Sequence, residues 1–539
     1  MRRNRYHLGI VLLALGVGMV IGVMYAPKVD SGYWQKMANE DLTSARVSRL
    51  IELVDNFYVD EVDRDSISDR MMNAMLSTLD PHSAYLSPSA FADEAEMMQG
   101  KFQGIGVTLF YLGDTVYAST IIPGSPADNA GVHPGDRIVY VDTTKVSGTG
   151  MTKSPSGVVD LIRGPRHSTV TLGVQRGGTD QIHNIQVKRD VIRHSTVPAA
   201  LMMDKNTGYI LVTRFAETTW GEFYHALSEL KQQGMNHLVV DLRNNAGGVL
   251  EAAVNMADEL LPEGDLIVYT EGAHDRRRNI YATKGGVFEE GRLTVLINEH
   301  SASASEVLCG AIQDNDRGTI VGRRSFGKGL VQSQFDLPGG SAVLLTIARY
   351  YSPSGRCIQR PYDKGSDEYH MAYLNRVLSN YGAADSLLSV PDTSSQPFLT
   401  KNGRKVYGGG GIQPDVLLPY FRDTHLVYYN NLISIQAFER VVYGELFAHY
   451  SELKEKYPTY EDFARKYRVD EAIFEAVLRE GDKKGLVRDA VTISKYGTEM
   501  RNRYRALLAS SLYGENAFYK TSTPFDTEVQ QAIKAKIEL

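Results

Sequence analysis

At 539 residues the chain exceeds what one hydrophobic core organises, and 43% hydrophobic with 23% charged residues describes a globular, multidomain protein rather than a disordered or fibrous one. A net charge of −6 gives no electrostatic footprint for nucleic acid, and two cysteines, Cys309 and Cys357, cannot build a disulfide framework.

The chain starts with a cationic flank, Arg2, Arg3 and Arg5, followed by an uncharged run from Leu8 to Ala26. That run is about long enough to span a bilayer, and its end, Met24-Tyr25-Ala26, is a poor signal-peptidase site. Residues 1–28 are therefore expected to be a membrane anchor or signal segment. The arginines stay in the cytoplasm, and everything after Lys28 lies in the periplasm or otherwise outside the cytoplasm, as a secreted form if the segment is cleaved. Residues 34–100 read as helical, with Val47, Leu50, Ile51, Val54 and Tyr58 on one stripe and Met71, Met75 and Leu79 on another, both expected to be core. Asp80-Pro81-His82-Ser83 closes the second helix in a turn, and His82 reads as structural.

Residues 101–190 carry Gly104-Ile105-Gly106-Val107 entering a strand, then Gly124-Ser125-Pro126-Ala127 and Gly131 to Ile138, a pattern that resembles a PDZ domain. Glycines at 104 and 106 let backbone N–H groups face a C-terminal carboxylate, while the next strand offers an edge to an extended peptide. A helix from Gly157 to Arg163 is expected to supply Val158 and Ile162 as one wall of the side-chain pocket.

Residues 191–420 alternate strands and helices, the mark of an α/β layer: strands at Gly208–Val212 and His237–Leu242, helices at Trp220–Gln233 and from Leu250 onward. The apolar run Leu293–Ile297 then breaks at Asn298-Glu299-His300 and leads through Ser301-Ala302-Ser303-Ala304-Ser305-Glu306 into a helix. Serines at a helix start sit beside unpaired N–H groups and a positive dipole end, which suits a developing oxyanion. The same pattern also describes an N-cap, with Glu306 completing a capping box from Ser303. Further on, Gly327-Lys328-Gly329 isolates one cation between flexible residues.

Taken together, Asn-x-x-Ser-Ala-Ser-Ala-Ser-Glu and Gly-Lys-Gly-x-Val-Gln resemble the C-terminal processing (tail-specific) peptidases, PDZ-containing Ser/Lys serine peptidases, and the likeness runs from about Leu79 to Leu417. The resemblance implies Ser303 as nucleophile, Lys328 as general base 25 positions later, and Gln332 as the residue that orients the lysine. It also implies an oxyanion site built from the N–H of Gly248, with Gly247 as the alternative, and that of Ala304. No cofactor and no metal enter this chemistry. The implied substrates are polypeptides with free C-termini, and an adaptor or a second copy of the chain is a further candidate partner.

Rival chemistries fare worse at the same residues. Gly322 to Lys328 matches a phosphate loop, but Gly329 replaces the magnesium-binding hydroxyl. Ser325-Phe326-Gly327-Lys328 matches Ser-x-x-Lys, but lacks a following helix and a Lys-Thr-Gly partner. No metal-site spacing is present. Residues 421–539 show charged and aromatic helical patterns without a catalytic motif and are expected to form a helical accessory domain. The expected fold is thus multidomain α+β: an N-terminal membrane helix, a helical region, a PDZ-like β domain inserted before an α/β serine-peptidase core, and C-terminal helices. The alternative function is a membrane-anchored PDZ scaffold with an inactive protease domain.

Overall fold

The computed structural model describes residues 42–149, 154–382, 396–420, 423 and 425–535. The expected membrane segment and nearly all of the polar insertion expected at Asp385–Gln396 lie outside the described residues. Among the described residues, no helix is long and apolar enough to cross a membrane. The chain forms two compact units that divide between Ala74 and Met75.

In the first unit, the helix Leu42–Phe57 carries the apolar stripe expected to be core, yet Val47, Leu50 and Tyr58 are exposed, Leu50 at 58%. Periodicity shows that a helix has an apolar face, not that its own chain covers it. Met75 and Leu79, expected on the second core stripe, are also exposed, and both belong to the second unit.

The second unit is built on a six-stranded sheet in the order Ala199–Met202, Thr207–Leu211, His237–Asp241, Arg292–Ile297, Thr319–Gly322, Val416–Leu417. All neighbours are parallel except the first pair. Both faces are covered, which is why the strands read as continuous apolar runs. Ile210, Val240, Val295 and Ile320 pack with the helices Thr219–Gln232, Leu250–Asp258 and Ala304–Asp314. Their neighbours Tyr209, Val239, Leu296 and Val321 face the other way, against Val529 and Ala532 of the helix Thr527–Lys534. A second, antiparallel sheet holds Ala84–Leu86, Ala342–Tyr351, Leu266–Glu271 and Arg278–Tyr281, with Leu330–Asp336 also paired to Ala342–Tyr351.

The ribbon of Lys101–Gly104 with Asp190–Arg193 brings the entry and exit of an inserted β domain together. That domain is an antiparallel sheet, Val107–Leu112, Thr115–Ile121, Arg137–Val141, Thr169–Gln175 and Ile182–Lys188, with the helices Pro126–Asn129 and Pro155–Ile162. Val158 and Ile162 are 0% and 6% exposed and belong to its core with Ile105, Val116 and Leu172. These are the two residues expected to form one wall of the side-chain pocket. A short amphipathic helix gives its most apolar stripe to the core, and Val158 is fully buried in it.

Seven helices between Leu426 and Lys534 complete the described C-terminal region. The helix Ala437–Lys456 docks on the β domain: Tyr443 stacks on Tyr117 and its hydroxyl lies 2.6 Å from Ser119 Oγ, while Arg137 sits over the Phe447 ring at 3.7 Å. At the other end, Asp526 and Glu528 meet Arg243 at 2.8 and 2.7 Å. The accessory helices therefore touch both the inserted domain and the domain built on the parallel sheet.

Candidate active site

The strand Arg292–Ile297 delivers its chain to a tight corner. Asn298 Oδ1 accepts the backbone N–H of Asn244, and Asn298 Nδ2 donates to Asn244 Oδ1, each at 2.9 Å, so the ends of two parallel strands are tied. Ser301 Oγ donates to Leu242 O at 2.8 Å, and Ser305 Oγ donates to Asn245 O at 2.9 Å. Both hydroxyls are fully buried and spent on structure. Ser303 differs. Its φ of 54° with ψ of −115°, at the start of the helix Ala304–Asp314, is a backbone conformation that side-chain-bearing residues rarely adopt. The capping box expected of Ser303 and Glu306 is present, with Glu306 Oε2 accepting Ser303 N–H at 2.9 Å.

Glu306, 1% exposed, does more than cap. Oε1 accepts Ser325 Oγ–H at 2.5 Å and Gly327 N–H at 2.7 Å, and Oε2 also accepts Lys328 N–H at 2.9 Å. Burial pushes its carboxyl up to about 7 against the pull of these donors. Lys328 Nζ donates to Gln332 Oε1 at 2.7 Å, and Gln332 Nε2 donates to the carbonyl of His82 at 2.6 Å. Burial lowers the lysine below its ordinary range, while Asp80, Glu94 and Glu306 oppose that shift. The Tyr350 hydroxyl lies 3.1 Å from Ser303 O and 2.5 Å from Lys328 O, bridging the two segments.

Ser303, Ala304, Lys328, Gln332, Gly247, Gly248 and His82 all line one cleft of ≈ 500 Å³. The glycines let the backbone come close: a Cβ on Gly247 would lie 2.8 Å from Ser303 Cβ, and one on Gly248 only 1.9 Å from Phe215 O. Gly247 has already given its N–H to Asn245 Oδ1 at 2.9 Å, and its carbonyl to Phe215 N–H at 3.0 Å. The hydrogen bonds thus favour Gly248 over Gly247 as a donor into the cleft. Ala304 is the first residue of its helix, where an N–H has no intrahelical acceptor.

The loop Gly104 to Val107 lies apart, in the inserted domain. Ile105 O and Gly106 O are taken by the N–H groups of Ala127 and Ile122, at 2.8 and 2.9 Å, and Gly106 has φ of 81°. The adjoining strand Val107–Leu112 is the edge of its sheet, and Tyr111 at its far end donates to Pro155 O of the neighbouring helix at 2.8 Å. Among the described residues no group of three His, Cys, Asp or Glu is placed to hold a metal ion.

Sequence reasoning assigned no chemistry to Asp80, His82 or Tyr350, and treated Glu306 only as a cap. Their contacts join segments up to 287 residues apart, as between His82 and Tyr369, and no local pattern reports such a pairing.

A strand-to-helix corner presenting a strained serine, a buried lysine in the same cleft and glycine-rich backbone around them define a serine-type peptidase. Residues 206–364 match peptidase family S41, residues 117–176 a PDZ domain and residues 428–514 a family of unknown function. The carboxy-terminal-processing protease of Bartonella bacilliformis is 35% identical over 323 residues, covering 58% of this chain and 72% of that protein. The carboxyl-terminal-processing protease of Synechocystis is 35% identical over 292 residues, 53% of this chain and 67% of its own. A solved photosystem II D1 C-terminal processing protease is similar at 30% identity, covering 68% of this chain and 86% of that one with a TM-score of 0.34. The chain belongs to the carboxy-terminal-processing proteases of peptidase family S41.

Proposed function

We propose that this protein is an endopeptidase that cleaves exported polypeptides near their C-termini, with Ser303 as nucleophile and Lys328 as general base. The observation that carries the reading is the shared cleft in which a buried Lys328 amine is bound by Gln332 Oε1 beside the strained Ser303. A lysine serves as base only when neutral, and burial favours that form. Ser303 Oγ attacks the scissile carbonyl carbon, its proton passes to Lys328 Nζ, and the tetrahedral oxyanion is met by the N–H groups of Gly248 and Ala304. As the C–N bond breaks, Lys328 returns the proton to the leaving amine. Water, deprotonated by the same lysine, then hydrolyses the acyl-enzyme.

In this reading the Gly104–Val107 loop takes the substrate's free carboxylate while the Val107–Leu112 edge pairs with its backbone, and Leu8–Ala26 holds the protein in the membrane with both domains outside the cytoplasm. Full-length protein in detergent should digest casein, and Ser303→Ala protein should not; an inert wild type would leave the scaffold reading. Protease added to spheroplasts should remove the C-terminal domains, and full protection of them would contradict the topology.

A further inference from the structure

The turn Asp80-Pro81-His82-Ser83 supplies no nucleophile or base, yet its bonds converge on the base. Asp80 Oδ1 accepts the N–H groups of His82 and Ser83, each at 2.8 Å, and Oδ2 accepts Ser83 Oγ–H at 2.6 Å. Ser83 Oγ in turn accepts Thr346 N–H at 3.1 Å, which fastens the turn to the strand Ala342–Tyr351. The His82 ring is fixed separately. Its Nε2 lies 2.9 Å from the Tyr369 hydroxyl, and the ring stands edge-on to Tyr369 and Phe326.

With backbone and ring both held, the His82 carbonyl has one direction, and it accepts Gln332 Nε2–H at 2.6 Å. A carboxamide carries its donor and its acceptor on opposite arms. Committing Nε2 to His82 leaves Oε1 for Lys328, where it accepts an N–H at 2.7 Å and leaves the amine's lone pair free. Turned over, the amide would offer N–H to that lone pair and occupy what a base needs. We propose that Asp80 and His82 are positioning residues of the peptidase, setting the orientation of the Gln332 amide and, through it, the direction of the Lys328 amine. This rests on the reading of Lys328 as general base.

The charges fit the same picture. The charged groups acting on Lys328 are Asp80, Glu94 and Glu306, all favouring its cation against burial. Burial pushes Asp80 up, but its bonds from Ser83 and His82 outweigh that and hold it below the ordinary carboxylate range, so it carries its charge. Burial, then the charge of Lys328, holds His82 down to about 3, so its ring adds no second cation.

The test compares full-length wild type, Asp80→Asn, Asp80→Ala and Ser303→Ala on one peptide across about pH 6 to 10, a window that brackets a lowered lysine pKa. Asparagine keeps an acceptor for the two N–H groups but removes the charge, which disfavours the lysine cation. Its kcat/KM profile should therefore shift to lower pH by about half a unit or more. Alanine frees the turn, and kcat should fall about ten- to hundredfold with KM within about twofold, the pattern of a displaced catalytic group. A folded Asp80→Ala protein with wild-type kcat would overturn the inference, as would an Asp80→Asn profile superimposed on the wild type, which decides the matter if the alanine variant does not fold. Either result leaves the peptidase reading standing, whereas wild-type protein no more active than Ser303→Ala removes that reading and the inference with it.

Discussion

The carboxylate of Glu306 and the backbone of Lys328 are joined at 2.9 Å, through the same oxygen that accepts Ser303 N–H at 2.9 Å. One buried side chain thus sets the distance between the segment that carries Ser303 and the loop that carries Lys328, the proposed nucleophile and base. Its other oxygen holds Ser325 and Gly327, so the whole approach to Lys328 hangs from the first turn of the Ala304–Asp314 helix.

Glu306→Gln should therefore lower kcat by about tenfold, because an amide offers one acceptor oxygen where two now take four donors. It should also change stability with a definite sign. The folded carboxyl is raised from 4.5 to about 7, so its protonated form contributes stability that is full below pH 4.5 and is lost as pH rises through about 7. The difference in Tm, variant minus wild type, should increase between those values. A difference that stays flat across them would show that Glu306 does not titrate in the fold.

The three serines of the corner should separate cleanly. Ser303→Ala should lose about 10³-fold or more in kcat, as expected for a nucleophile. Ser301→Ala and Ser305→Ala each remove a buried hydrogen bond to a carbonyl that keeps a backbone donor, and the first also takes the acceptor from Asn298 N–H; each should cost about 0.5–1.5 kcal/mol of stability while keeping activity within about threefold. Thermal melts and peptide kinetics on the three purified variants check this, and inactivity confined to Ser301→Ala or Ser305→Ala would move the nucleophile.

How far the sequence could reach is visible in these same residues. The corner around Ser303 was legible because strand, break and helix follow one another, and the observed Arg292–Ile297 and Ala304–Asp314 are the elements expected there. The family was legible for a similar reason, since its motifs are contiguous. What stayed hidden depends on contacts across the fold: His82 O against Gln332, or Arg243 against Asp526, 283 positions apart. Val158 shows an ambiguity of another kind. An apolar residue on a short helix suits a pocket and a core equally well in sequence, and the core took it.

The pH dependence of the wild type follows from Lys328. Burial lowers its pKa, and only the neutral amine accepts a proton, so kcat/KM should rise with pH through that lowered value and then level off. Lys328→Arg should be inactive, because a guanidinium stays charged throughout. A flat profile from mildly acidic to alkaline buffer, with chemistry limiting, would remove lysine from the base role.

The accessory helices reach the glycine-rich turn beside Ser303 through one arginine. Arg243, which opens the Arg243–Gly248 turn, meets Asp241, Asp526 and Glu528 at 2.7–2.8 Å. Asp526→Asn with Glu528→Gln should cost about 1.5–3 kcal/mol, the range for a charged hydrogen bond, and should lower kcat more than it raises KM. Wild-type Tm and kcat in that double variant would leave the C-terminal helices without influence on the site.

Tail recognition gives the sharpest test of the inserted domain. A free carboxylate accepting backbone N–H groups at Gly104–Val107 gains charge-assisted bonds worth about 1.5–3 kcal/mol each, so amidating the substrate's end should lower kcat/KM about tenfold or more. Gly106→Val attacks the same loop from the protein side. At φ of 81° a side chain is strained, and its Cβ would lie 2.3 Å from Ser125 Cβ, so the loop must move. The variant should cleave acid and amide peptides at similar, low efficiency while still digesting unfolded casein, which enters the cleft without presenting a tail. Circular dichroism on the variant establishes that the domain is still folded. The alternative is that the domain only packs against its neighbours, as Tyr443 on Tyr117 and Arg137 on Phe447 already make it do. Matched free-acid and amide peptides decide between them: equal kcat/KM in the wild type would sink carboxylate recognition and leave the inserted domain a structural part.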